Sequence, residues 1–375
     1  MAEVHEATFV IVGGGIAGVS CVEQITYLCP DEPVILISAS SVVKSVTNLS
    51  QISKLLSSFD VTEKDNSTFA SEFANLKVIQ GIVNEVDPEK REILLENDSK
   101  IKYKYLVLCH GAKPKLLPNA DEKYVLGIRD TESVEKFQTY LKEARKIVIV
   151  GNGGIATELV HELQNVEIVW VIKDSSISAT FVDCGAGQFF LDDLTKSQDE
   201  KSSAVTKRTK YTAMEFEELS TTKNVIGGAL GPDWHSSMNT KSGLSQGKKV
   251  SIETECEIQD IKVQNNEVLV TLSNGKTFST DFIVSATGVI PGGKMIKVPN
   301  LELDNQDAII VNQEMQTNIK GIFAAGDVCS CQHWDHSPHW IQMRLWTQAR
   351  QMGAYAGTDF LIIYARLFNY ENCTL

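Results

Sequence analysis

The chain has 375 residues, more than one ordinary hydrophobic core encloses, so two or more domains are expected. Its 43% hydrophobic and 22% charged residues are the balance of a folded soluble protein and exclude a wholly disordered chain. The net charge of -13, from 35 Lys and Arg against 48 Asp and Glu, argues against direct nucleic-acid binding and against an anionic membrane surface, both of which need clustered positive charge.

From the N-terminus, Met1 to Thr8 carries acidic residues and the apolar run after it breaks at Gly13, which does not fit a secretory signal. Phe9 to Val12 is a short, wholly apolar run of the kind that buried parallel strands show. A glycine cluster follows, then a helical stretch from Val19 to Leu28 and a second strand from Val34 to Ile37. Short strands alternating with helices predict a parallel, doubly wound sheet. Gly13-x-Gly15-x-x-Gly18 stands where such glycines permit a tight turn and let backbone approach a pyrophosphate, with the helix N-terminus attracting the phosphates. Gly13, Gly15, Ile16, Ala17 and Gly18 are therefore expected to hold a dinucleotide; the plainer alternative is a glycine-rich turn with no ligand. An acidic residue normally closes the second strand about 20 residues on and holds the ribose hydroxyls. Ser38 stands there instead, and a hydroxyl bonds a ribose more weakly than a carboxylate does.

Val78 to Leu95 reads as strands with a turn at Asp87-Pro88, and Tyr105 to Leu108 as another buried strand ending at His110 to Pro114. The opening grammar then recurs 138 residues on: a strand from Lys146 to Val150, Gly151-Asn152-Gly153-Gly154, a helix from Ile155 to Gln164, and a strand from Ile168 to Ile172. Two nucleotide-binding units imply two dinucleotides. In the second, Gly151-x-Gly153-x-x-Ala156 carries the accepted alanine at its third position, so Gly151, Asn152, Gly153, Gly154 and Ile155 are candidate contacts. The strand ends at Lys173, or at Ile172 if the register slips by one. No carboxylate selects NAD there, and Lys173 suits a 2′-phosphate, so both coenzymes are expected to serve, NADPH with a modest advantage; a solvated strand-end lysine is the alternative. Ser175 to Lys249 reads as an insertion, with a surface helix and mobile loop over Thr195 to Thr222. Val250 to Leu272 alternates like antiparallel strands, with a hairpin turn at Asn274-Gly275, and apolar strands follow at Phe282 to Ala286 and Gly321 to Asp327.

Thr317 to Asp327 resembles the second FAD fingerprint of the pyridine nucleotide-disulfide oxidoreductase family: Thr, five residues, an aromatic, then Ala-x-Gly-Asp. The segments Tyr105 to Pro114 and Ser285 to Pro291 resemble the family's two crossings between its FAD and NAD domains, which puts Gly111 and Gly288 beside a cofactor. These signals stand in family order over residues 8 to 355. The resemblance implies an α/β fold of two Rossmann-like, three-layer ββα dinucleotide-binding domains, the FAD domain interrupted by the NAD(P)H domain. On that reading 1–115 and 285–357 form the FAD-binding domain and 116–284 the NAD(P)H-binding domain, with its insertion at about 175–249. It further implies FAD and NAD(P)H as cofactors, with Gly326 approaching the flavin and Asp327 bonding its ribityl chain. Residues 358–375 are expected to be a remnant of the family's C-terminal domain, which needs roughly 100 residues or more. The segments Val43 to Asn48, Val125 to Thr131, Gly231 to His235 and Gln342 to Gly353 extend the resemblance within the family. They imply a protein of nucleus and cytoplasm associated with protecting the tRNA ligase complex from oxidation.

Disulfide reductases of this family carry Cys-x-x-x-x-Cys on a helix facing the flavin, whereas Ser40 to Ser50 holds no cysteine. The expected reaction passes hydride from NAD(P)H to flavin and onward to dioxygen, a quinone-like oxidant or a partner; the alternative is a flavin- and NAD(P)H-bound redox sensor or shield with little turnover. By resemblance, Lys44 and Glu158 are a catalytic pair, Glu158 beside nicotinamide and flavin and Lys44 supplying positive charge near the flavin ring; the alternative is two surface charges on unrelated helices. The eight cysteines are mostly isolated in apolar runs (Cys21, Cys109) and read as reduced thiols of a cytosolic or nuclear protein. Cys329, Cys331, His333, His336 and His339 are metal-competent types, but the cluster reads as a loop near the flavin with no metal, and a Cys329–Cys331 redox pair is geometrically strained.

Overall fold

Val4–Val12 forms the first strand, β1, and its apolar second half is buried on both faces, as the centre of a parallel sheet requires. The computed structural model describes residues 4–51, 57–118, 121–179, 181–195, 249–264, 267–331 and 342–368. The chain divides into two units: Met1–Lys113 with Ile290–Leu375, and Pro114–Val289.

In the first unit, β1 leads to α1 (Ile16–Leu28) and β2 (Val34–Ser38), a strand buried at every position. Then come the hairpin β3 (Val42–Gln51) and β4 (Ser57–Asp65), α2 (Asn66–Ser71), β5 (Leu76–Gln80), the hairpin β6 (Val83–Asp87) and β7 (Glu92–Leu95), and β8 (Lys100–Leu108). β1 pairs in parallel with β2 and β8, and β2 with β5. Phe9 and Tyr105, cross-strand partners on β1 and β8, stack at 5.7 Å between ring centroids. β7 runs antiparallel to the start of β8.

β9 (Ala112–Pro114) leads out of this unit. The second unit contains β10 (Val125–Gly127), α3 (Thr131–Leu141), β11 (Lys146–Val150), α4 (Gly154–Glu162), β12 (Glu167–Val171), α5 (Cys184–Thr195), β13 (Lys249–Glu253), β14 (Ile258–Gln264), β15 (Glu267–Leu272), β16 (Thr277–Thr280) and β17 (Phe282–Ser285). Five parallel strands make its main sheet, in the order β10-β17-β11-β12-β13, and β14-β15-β16 form a separate antiparallel sheet. Strand alternation sorts the core into two faces. Ile147, Ile149, Ile168 and Trp170 pack with Ala156, Leu159 and Val160 of α4, while Val148, Val150, Val169 and Val171 pack with Val268, Val270 and Leu272 of β15. That is the three-layer arrangement expected from the sequence.

The chain re-enters the first unit through β18 (Val289–Pro291), which pairs with β9. β19 (Ile309–Ile310), β20 (Ile322–Ala324), β21 (Cys329–Ser330) and α6 (Trp346–Phe368) follow. β20 joins β8 in parallel, so the first unit carries the parallel order β5-β2-β1-β8-β20, the counterpart of β13-β12-β11-β17-β10 in the second.

Two expectations change. Ser40 to Ser50, read as the counterpart of a flavin-facing helix, is strand β3, because Val42, Val43, Val46 and Thr47 are β-branched and pair along β4. Val250 to Glu253 is not antiparallel: β13 pairs in parallel with β12 at the sheet edge, and only β14 to β16 form the meander. α6 runs across position 358 and continues to Phe368. Within the expected insertion, 184–195 is helix α5, whereas 196–248, including Gly231 to His235, lies outside the described residues. Among the described residues no helix is long and apolar enough to cross a membrane.

Candidate functional site

In each unit the central parallel strand turns into the helix after it, β1 into α1 and β11 into α4, through a glycine that no other residue replaces. Gly13 has φ +120° and a side chain there would collide with the Cys109 carbonyl; Gly151 has φ +129° and would collide with the Ala286 carbonyl. The two turns match bond for bond. Gly13 N–H donates to Ile37 O at 2.8 Å and Gly151 N–H to Val171 O at 3.1 Å, while Cys109 and Ala286 each donate at 2.7 Å to the last residue of the neighbouring strand, Val12 and Val150. The internal repeat seen in the sequence is therefore structural and includes the crossing segments, where Gly111 (φ +75°) and Gly288 (φ +104°) correspond.

The helices that follow are open at their N-termini. α1 starts after Gly15 and α4 after Gly153, with no side-chain cap and no acidic residue in the first turn of either. Among the described residues, nothing beyond the adjoining chain comes within 4 Å of where a Cβ on Gly15 or Gly153 would stand. Exposed backbone N–H groups, the positive end of the helix dipole and open space above fit a pyrophosphate at both sites. Ile16 and Ala17 form the buried first turn of α1; Gly154 and Ile155 begin α4, and Ala156 is buried below them.

At the far side of the first site, Gly326 (φ +82°) brings the end of the fingerprint strand against Ala17, where a Cβ would stand 2.8 Å from the Ala17 methyl. The fingerprint threonine shapes this turn: Thr317 Oγ1 donates to Ile322 O at 2.9 Å and accepts from Ile319 N–H at 3.1 Å. Asp327, half-buried, follows Gly326 at the carboxyl end of the sheet, where open α/β sheets hold ligands. Lys44 reaches this site through its backbone, donating N–H to Gly14 O at 2.9 Å, and its ammonium lies 3.7 Å from Glu63 on the paired strand β4. Lys44 belongs to the first unit, whereas Glu158 lies half-buried on α4 of the second.

Sheet register aligns the residues that close the second strand of each repeat. Ser38 is one residue past the partner of Val12; its counterpart, one past the partner of Val150, is Ile172, which is buried. The one-residue slip is thus real: Ile172 takes the position of Ser38 and Lys173 stands next, exposed. Ser38 is buried against Gly14 and donates its hydroxyl to Ser40 O at 2.9 Å. Beyond Lys173 a carboxylate does appear, Asp174, but it accepts from Asn152 Nδ2 at 2.7 Å. Asn152 also donates to Ser176 O at 2.9 Å and accepts from Ser178 N–H at 2.6 Å, so it clamps the loop after β12 onto the glycine turn. The sequence marked Asn152 as a cofactor contact and gave no sign of this clamp, whose partners sit 22 to 26 residues away.

Three buried thiols, Cys21, Cys109 and Cys329, are held in the protonated form. Burial pushes Cys109 up to about 12 and raises Cys21; Cys329 is raised by its bond with Cys331 and by burial. Cys329 Sγ donates to Gly326 O at 3.3 Å. Among the described residues no group of three or more His, Cys, Asp or Glu is arranged to hold a metal; His333, His336 and His339 lie outside them.

Two parallel sheets, each carrying a glycine turn and an uncapped helix, with an FAD-type fingerprint strand beside the first, define a flavoprotein oxidoreductase with two dinucleotide sites. The model of the pyridine nucleotide-disulphide oxidoreductase family matches residues 7–205 and 241–353. The pyridine nucleotide-disulfide oxidoreductase domain-containing protein 1 of Rattus norvegicus is 42% identical over 379 residues, covering 93% of this chain and 76% of its own length. That of Homo sapiens is 42% identical over 377 residues, covering 93% and 75%. Among solved structures, a ferredoxin reductase from Rhodopseudomonas palustris aligns with TM-score 0.66 and 19% identity over 96% of this chain and 76% of its own. A water-forming NADH oxidase from Lactobacillus brevis aligns with TM-score 0.65 and 16% identity over 94% and 69%. The chain belongs to the pyridine nucleotide-disulfide oxidoreductase family. It is an FAD-dependent oxidoreductase, with FAD and NAD(P)H as its cofactors.

Proposed function

We propose that this protein oxidises NAD(P)H bound on its second unit, with FAD bound on its first, and delivers the electrons to dioxygen or to a partner and not to a disulfide. The observation that carries this reading is strand β3: Lys44 N–H ties it to Gly14 of the flavin-side glycine turn, and its residues include no cysteine. Bound FAD supplies a ring that accepts hydride. The first turn of α1 holds the pyrophosphate on backbone N–H groups, Gly111 and Gly326 allow close backbone approach, and Asp327 accepts from a ribityl hydroxyl. Lys44 supplies positive charge beside the ring, Glu158 and Gly288 line the nicotinamide side, and the α4 turn holds the second pyrophosphate. Ser38 and Lys173 flank the two ribose positions.

The two solved neighbours, a ferredoxin reductase and a water-forming oxidase, are named for different electron acceptors, so this fold does not itself select the acceptor. A location in nucleus and cytoplasm, and association with the tRNA ligase complex without direct nucleic-acid contact, complete the proposal; they rest on the sequence resemblance. The test is steady-state NADPH oxidation by the purified protein with dioxygen, a quinone or glutathione disulfide as sole acceptor. Turnover with dioxygen or quinone and none with the disulfide is expected; efficient disulfide reduction by this chain overturns the proposal.

A further inference from the structure

His110 stands two residues past the end of β8, and sheet register sets its height. Leu108 pairs with Val12 on one side and with Ala324 on the other. Two residues beyond these partners come Gly14, His110 and Gly326, so His110 leaves the carboxyl end of the sheet between the glycine turn and the fingerprint strand. Its backbone nitrogen would stand 2.9 Å from a Cβ on Gly13.

The ring is oriented by one bond, at 2.8 Å, between His110 Nε2 and the Gly292 carbonyl. A carbonyl only accepts, so Nε2 carries the proton and Nδ1 is a bare lone pair. The Cδ2–Nε2 edge faces Gly292, where a Cβ would lie 3.0 Å from Cδ2. The opposite edge carries Nδ1, which is buried and has no hydrogen-bond partner among the described residues. Buried acceptors are nearly always satisfied, so this lone pair is open to a donor beyond the described residues, and a bound ligand at this end of the sheet supplies one.

We infer that His110 positions the flavin cofactor, its Nδ1 accepting a hydrogen bond from a hydroxyl of bound FAD, on the ribityl chain or the adenosine ribose. This rests on the first unit being the FAD site. Burial holds His110 down to about 4, so the imidazole is neutral and the lone pair available at physiological pH.

Two substitutions separate the two edges of the ring. In His110→Gln the amide nitrogen keeps the donor at the Nε2 position and the Nδ1 acceptor is lost; in His110→Asn the carbonyl oxygen replaces Nδ1 and the Gly292 bond is lost. Binding of FAD to apoprotein, followed by flavin fluorescence, is expected to weaken about 3- to 10-fold in His110→Gln and to stay within about 2-fold of the parent in His110→Asn. FAD analogues lacking one ribityl hydroxyl, or the adenosine 2′-hydroxyl, name the donor: the analogue that lacks it binds parent and His110→Gln equally. Parental affinity in His110→Gln, or a loss in His110→Asn as large as in His110→Gln, overturns the inference. Should neither variant fold, the histidine 15N spectrum of the parent decides: an Nδ1 resonance that moves on FAD addition supports it, and none moving overturns it. A parent that takes up no FAD overturns the cofactor reading and this inference with it.

Discussion

His110 shows how one buried residue links stability to pH as well as to cofactor. Its folded value lies near 4, below the ordinary 6.5, so between these values the unfolded chain binds more protons than the folded one. That stability is present above about 6.5 and is lost as pH falls toward about 4. The melting temperature of the parent is therefore expected to drop more steeply over that window than that of His110→Asn; parallel curves contradict the assignment. Asn152 is the second residue whose role the structure redefines. It makes three bonds to the loop after β12, at 2.6 to 2.9 Å, so Asn152→Ala should cost about 1–3 kcal/mol of stability and raise the NAD(P)H concentration needed to reduce the flavin. Unchanged melting and unchanged coenzyme dependence would show that the loop holds without its clamp. Lys173 is exposed and next to the buried Ile172, so no carboxylate at the strand end repels a 2′-phosphate. Both coenzymes should reduce the flavin, and Lys173→Glu should shift the ratio several-fold toward NADH, on the order of 1 kcal/mol; an unmoved ratio makes Lys173 a solvated surface residue.

At the level of elements, α6 packs along α1, the helix that follows the first glycine turn. Its Gly353 packs directly on the Ala17 carbonyl in the first turn of α1, where a side chain would collide with backbone. Gly353→Val must push α6 away from α1, an overpacking cost of about 1–3 kcal/mol, and should loosen FAD as well as lower the melting temperature. A variant that melts early yet holds FAD at parental affinity would separate α6 from the site. Strand β3 is the element that sequence reading placed in the wrong class. Val42, Val43, Val46 and Thr47 were a legible β signal, but the resemblance to disulfide reductases pointed to a helix at that stretch. The helix-opening glycine turns were legible because their chemistry is local: strand, Gly-x-Gly, helix within about a dozen residues.

Across the whole molecule, what the sequence revealed and what it hid divide by sequence separation. The duplicated unit was visible at Gly13 and Gly151, and the crossing glycines Gly111 and Gly288 were visible with it. The register that puts Ile172 opposite Ser38's position depends on pairing between whole strands, and the orphaned Nδ1 of His110 depends on a carbonyl 182 residues away. No local pattern encodes either. The central claim is that one chain carries a flavin site and a nicotinamide site that communicate by hydride transfer. The direct measurement is the absorption spectrum of the purified protein during anaerobic titration with NADPH and NADH, repeated with Asp327→Ala. An oxidised-flavin spectrum bleached by about one equivalent of either coenzyme, with flavin retention weakened in the variant, is the predicted result. A purified protein that, reconstituted with FAD, keeps an unbleached spectrum under excess coenzyme would contradict it.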